Sequence, residues 1–154
     1  VNRRRDQQGH RMPSVPAHVD EHEEAQRRKA SEDWLDAASV GVRIGKVPSE
    51  VTALRKEGAL LGAWLPSGQR FLYPPWQFGE RGSPIPEVAA LLKLLRSPNG
   101  MDIGLPSTGW GEVEWFISCH VLLDGLSPAQ VLATDPARVL AVAQEEFAER
   151  SRSR

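Results

Sequence analysis

Cysteine occurs once, as Cys119, in a chain of 154 residues. That excludes an intramolecular disulfide framework and any zinc site built from several thiolates. Long apolar runs are also missing: no stretch approaches the roughly 18 residues expected of a membrane span. The charged N-terminus lacks an apolar signal core, so no membrane contact is expected and the cytoplasm is the expected location. Neither sign of charge dominates, with 19 Lys and Arg against 20 Asp and Glu. This balance excludes a uniformly basic nucleic-acid coat, but it can hide local asymmetry.

Catalytic signatures are absent as well. There is no nucleophile motif, phosphate loop or metal box, and the glycine-containing stretch 104–111 has no lysine to complete a phosphate cradle. Cys119 and His120 are adjacent, hence about 100° apart on a helix, which does not make a nucleophile–base pair. Cys119 sits in the apolar run WFISCHVLL and reads as a buried structural thiol. His18, Asp20, His22 and Glu23 are metal-ligand types at close spacing, but a flexible segment offers no shaped cage. No enzyme activity, cofactor or metal is expected.

Forty per cent of the residues are apolar and five are Trp, enough for one domain or two small ones sharing a core. Residues 1–30 carry almost no large apolar side chain, so a disordered or transiently helical tail is expected. Its Arg3, Arg4 and Arg5 could touch phosphate or simply be solvated.

Order is expected from Ser31. Ser31, Glu32 and Asp33 form a helix start ahead of Trp34, Leu35, Ala38 and Val42 at helical spacing, closed by Gly45. Pro48, Ser49 and Glu50 open a second helix carrying Val51 and Leu54 and ending at Gly58. Residues 59–65 and 69–73 flank Pro66, Ser67 and Gly68 as a hairpin, stopped by Pro74 and Pro75. Beyond the linker 79–84, apolar periodicity predicts helices over 85–95 and 110–122, then a short one capped at Ser127-Pro128 and a final one capped at Asp135-Pro136 that carries Val139 to Phe147. The fold class is therefore α+β and mostly helical: a winged helix-turn-helix over 31–78 and a small helical domain over 83–150.

Two helices joined by a short glycine turn and followed by a hairpin suit DNA binding. With Val51 and Leu54 facing the first helix, the opposite face presents Ser49, Thr52, Arg55 and Lys56, types that bond phosphates and base edges. Between Val42 and Tyr73 the bases Arg43, Lys46, Arg55, Lys56 and Arg70 outnumber the acids Glu50 and Glu57, whereas the chain from Glu80 onward is acidic overall. The same pattern also fits an ordinary helical hairpin with a solvated face. Trp64, Tyr73, Trp76 and Phe78 could stack on bases or lock the wing as core; core is the expected role.

The run AASVGVRIGKVPSEVTALRKEGALLGAWLPSGQRFLYPPWQF resembles the small winged helices of excisionase and MerR-type proteins. The part from Trp76 onward, with Trp115 and then LLDGLSPAQVLATDPARVLAVAQ, resembles the C-terminal domain of Xre/MbcA/ParS-type antitoxins. Their Leu-x-Gly-x-x-Pro turn here runs from Leu123 through Gly125 to Pro128. Together the likenesses span about residues 34–147, although the Xre plan has an all-helical N-terminal part without this hairpin. They imply a homodimeric regulator that binds double-stranded DNA sequence-specifically, represses its own promoter and neutralises a cognate toxin, often an NAD-degrading RES protein. Trp110, Trp115, Leu123 and Pro128 are the expected partner-binding residues. The alternative is a protein-interaction adaptor that does not bind DNA.

Overall fold

The computed structural model describes residues 17–98, 100 and 107–152. Arg3, Arg4 and Arg5 lie outside the described residues, as do residues 104–106 of the glycine-containing stretch. The architecture is α+β and mostly helical, with one two-stranded antiparallel sheet. Two compact units divide the chain, Val1–Glu32 and Asp33–Arg154.

In the first unit, helix α1 runs over Ala17–Ala30, within the segment expected to be disordered or transiently helical. Its charge order accounts for the helix. Acids Glu21, Glu23 and Glu24 precede bases Arg27, Arg28 and Lys29, the order that complements the helix dipole. Glu24 and Arg28 form an i,i+4 pair at 3.9 Å. Ser31 closes the helix by donating its hydroxyl to the Arg27 carbonyl at 2.6 Å.

The second unit begins differently from expectation. Helix α2 spans Ala37–Ile44, not a helix from Ser31, and its N-cap is Asp36, whose carboxylate accepts the Ser39 N–H. Ahead of it Leu35 is extended and forms a β-bridge with Tyr73, each amide donating to the other's carbonyl. Trp34 stacks on Trp110 with ring centroids 5.6 Å apart. Long-range partners thus claim both apolar residues that would have continued the helix.

Gly45 closes α2 at φ 73°, a left-handed value that glycine adopts without penalty. After Lys46 and Val47, helix α3 covers Pro48–Lys56 with proline in its first turn, while the Glu50 carboxylate accepts the Val47 N–H. The turn between the helices packs closely on α2 at Gly41, where a Cβ would lie 2.3 Å from the Lys46 carbonyl oxygen. Strands β1 (Ala63–Leu65) and β2 (Arg70–Leu72) pair antiparallel with Ala63 opposite Leu72 and Leu65 opposite Arg70.

A 3₁₀ turn over Pro75–Gln77 follows, then α4 (Glu87–Arg96), α5 (Trp110–Ile117), a second 3₁₀ turn (Val121–Leu123), α6 (Pro128–Leu132) and α7 (Pro136–Arg152). Helix α5 stops earlier than periodicity suggests. The Ser118 hydroxyl and amide both donate to the Glu114 carbonyl, and the backbone turns extended there. Cys119 therefore leaves the helix and is exposed, not the buried thiol expected.

Residues 31–78 and 83–150 do not have separate interiors. One cluster joins Leu61, Ala63, Leu65 and Leu72 of the hairpin region to Val88, Leu92, Leu95, Phe116, Leu132 and Phe147 of the helices. A smaller one holds Val40, Val51, Leu60, Tyr73 and Phe78. The hairpin is fastened to α5 by backbone. Trp64 N–H donates to the Thr108 carbonyl, and the Trp110 indole donates to the Trp64 carbonyl at 2.7 Å. At Gly109, φ is 93° and a Cβ would meet the Gly62 carbonyl oxygen at 2.0 Å. Buried Gln77 adds a bracket, accepting from Leu61 N–H and donating to its carbonyl.

Candidate nucleic-acid interface

Helix α3 fixes which side chains face outward. Val51 is fully buried and Leu54 packs beside it in the smaller cluster, so α3 rests on α2 through that edge. The other edge carries Ser49, Ala53 and Lys56, all exposed, at i, i+4 and i+7. Thr52 is half-buried beside them, and Lys46 and Val47 in the preceding turn are exposed. No side-chain partner is recorded for Lys46, Ser49, Thr52 or Lys56 among the described residues. These four form the free polar face of α3 and its entry turn.

The remaining three expected DNA-binding residues are placed differently. Arg55 is half-buried, its guanidinium 3.6 Å over the Phe71 ring. Its stem fills the space above Gly62, where a Cβ would stand 2.8 Å from Arg55 Cδ. Its Nε is buried without a hydrogen-bond partner among the described residues. Arg55 therefore pins α3 to the hairpin and does not project from the outer face. Burial raises the pKa of the Tyr73 hydroxyl above its ordinary 10.0, with the neighbouring Arg55 cation acting in the opposite direction.

Arg43 is exposed but lies 5.6 Å over the Phe78 ring and against Gly82. Arg70 is exposed at the start of β2, beside a hairpin tip of Pro66, Ser67, Gly68 and Gln69, every one of them exposed. Its charge helps hold the Asp36 carboxyl below its ordinary 3.8, after the larger effect of the hydrogen bonds from Ser39.

The aromatic set is interior or half-interior. Tyr73 and Phe78 are buried, Trp64 packs on Phe71 at 5.1 Å, and Trp76 packs on Phe116 at 4.9 Å.

All four expected partner-binding residues are buried, which corrects the surface built on them. Trp110 and Trp115 bury their rings and satisfy their indole N–H groups on the Trp64 carbonyl and on Glu146. Leu123 is fully enclosed and Pro128 is buried at the start of α6. In the helical part, the exposed large apolar side chains among the described residues are their neighbours: Ile117, Val121, Leu122 and Leu126, with Val121 84% exposed. Side-chain alternation around the α5–α6 connection held the signal, but it becomes readable only once the end of α5 is known.

Among the described residues no group of three or more His, Cys, Asp or Glu could hold a metal ion. Nor is any described helix long and apolar enough to cross a membrane.

No protein-family model matches the chain, and no curated protein matches it. Among solved structures its fold is similar to that of Rv2175c, determined by NMR, with a TM-score of 0.59 over 74% of this chain and 80% of that one, at 19% sequence identity, a likeness of fold alone.

Proposed function

We propose that α2, α3 and the β1–β2 hairpin are a winged helix-turn-helix that binds double-stranded DNA, and that the chain is a sequence-specific regulator. The observation that carries this reading is the free polar face of Lys46, Ser49, Thr52 and Lys56, beside which the exposed hairpin tip offers Arg70. In such a docking α3 enters the major groove with Ser49 and Thr52 toward base edges. Lys46 and Lys56 lie at its ends, suited to phosphate, and Arg70 on the wing reaches the backbone. Exposed Val47 stands where an apolar side chain can meet a thymine methyl. A regulator of this kind acts as a homodimer on paired half-sites, and the C-terminal likeness to antitoxins makes a toxin the partner to look for.

A duplex selected from a random pool supplies the probe. Binding should weaken steeply with salt, and Arg70→Ala should make the log–log salt slope shallower by about one unit. Combined Lys46→Ala, Ser49→Ala and Lys56→Ala should reduce affinity by about 3 kcal/mol with the fold intact. A folded triple variant that binds as tightly as the parent would remove α3 from the interface.

A second reading, a protein adaptor without DNA binding, is favoured by one observation. Ile117, Val121, Leu122 and Leu126 leave apolar surface in water around a single turn. It predicts that no duplex is enriched at all, while Val121→Asp abolishes protein association.

A further inference from the structure

Where α3 ends, its last residues face α4 across an open cleft of about 480 Å³. Ala59, Ala89 and Leu92 supply apolar lining, Lys56, Lys93 and Arg96 supply positive charge, and Glu57 adds one carboxylate. The dimensions suit a small molecule.

Arg96 is built into place. Its Nε donates to Glu112 at 2.6 Å, and Glu112 is fully buried, its other oxygen accepting the Ser107 hydroxyl at 2.7 Å. No acceptor is recorded for the two terminal nitrogens of Arg96 among the described residues. One of them, Nη1, lies beside Gly58, where a Cβ would come to 3.7 Å. Gly58 has φ 86°, so this edge is bordered by backbone that favours glycine. Three carbonyls in the last turns of α3 are already engaged by backbone. Those of Ala53, Leu54 and Arg55 accept from Glu57, Ala59 and Gly58.

Glu112 behind Arg96 offsets much of its charge. The pull on an anion therefore comes from directed guanidinium donors together with the exposed ammonium groups of Lys56 and Lys93. We infer that the cleft is a binding site for a small amphipathic organic anion, a carboxylate on an apolar body. The carboxylate meets Arg96 and Lys93, and the apolar part lies on Ala59 and Ala89. A nucleic-acid phosphate would use the cations but leave the apolar lining without a partner.

Amide shifts of the isotope-labelled full chain test this, with benzoate and hexanoate as probes, and benzyl alcohol and inorganic phosphate as controls. Both carboxylates should give saturable shifts at Gly58, Ala59, Ala89 and Leu92, at least ten-fold tighter than benzyl alcohol or phosphate. Lys93→Glu should weaken carboxylate binding several-fold, since one attraction is replaced by a repulsion. Ala89→Trp, at an exposed position on α4, should fill the cleft and remove the shifts. The inference is overturned if neither carboxylate saturates, or if benzyl alcohol or phosphate binds as well as benzoate. It is equally overturned if carboxylate binding is untouched by Lys93→Glu.

Discussion

Five side chains (Val40, Val51, Leu60, Tyr73 and Phe78) form the buried cluster beneath α2 and α3, whereas twenty described residues form the one that joins the hairpin to the helices. The larger cluster closes on itself through aromatic packing, with Trp115 edge-on to Phe116 and Trp76 against the same ring. The smaller one is finished at its margin by cations: Arg55 lies over Phe71 and Arg43 over Phe78. A small interior borrows the stems of charged residues to complete its cover. In this half, positive charge alone does not identify a DNA contact, because two of its five cations are already engaged with aromatic rings.

The most severe way to probe that contrast is to empty each cluster in turn. Phe116→Ala should cost about 4 kcal/mol and Val51→Ala about 2 kcal/mol in denaturant unfolding. Both should shift one cooperative transition, since Asp33–Arg154 is a single compact unit. A second transition in either variant would mean that the two clusters melt independently. Gly109→Ala strikes the junction between them. It forces a side chain onto the Gly62 carbonyl at a left-handed backbone position, and about 3 kcal/mol of lost stability is expected. A loss below about 1 kcal/mol would show that the backbone there shifts easily and that the fastening is weak.

Much of the α2–α3–hairpin order was legible because its stops are local. Gly45, Pro48 and Gly58 act through their own backbone preferences, and the hairpin tip does the same. Non-local pairing was not legible. Leu35 fits a helical pattern as well as a strand, and only Tyr73, distant in sequence, decides between them. Arg55 shows the same limit at the candidate site. Its position on the helix suggested the outer face, but the absence of a side chain at Gly62 and the ring of Phe71 make a half-buried berth for it. Gln77 between two aromatics gave no hint of bracketing Leu61, and Ser118 gave only a weak hint of ending α5. In the tail, α1 is helical over Ala17–Ala30 because ordered charges can hold a helix without an apolar face.

A smaller effect separates the two uses of arginine. Arg55→Met keeps most of the stem and removes the cation from Phe71, so stability should fall by about 1 kcal/mol. Duplex affinity measured on the folded protein should stay within about two-fold, since an inward guanidinium contributes little to phosphate contact. A loss of affinity as large as that of Lys56→Ala would return Arg55 to the proposed DNA face and erase the contrast between the two kinds of cation.

The smallest expected effect lies at the start of α2. Asp36 caps the helix through the Ser39 N–H at 2.8 Å, and the hydrogen bonds from Ser39 are the main reason its carboxyl sits below 3.8, with Arg70 assisting against a slight opposing effect of burial. A folded-state pKa below the unfolded one gives stability that is fully present above the unfolded value. That stability disappears as pH falls through the folded value. Asp36→Ala should cost about 1 kcal/mol at neutral pH. Asp36→Asn should keep most of the cap, because asparagine caps about as well, while removing this residue's share of the acid-dependent loss. Denaturant midpoints of the three proteins, compared at neutral pH and again below the ordinary carboxylate range, provide the check. The gap between parent and Asp36→Asn should narrow on acidification. A gap that widened instead would mean that the carboxylate is disfavoured in the folded state, and that Ser39 and Arg70 do not govern its charge.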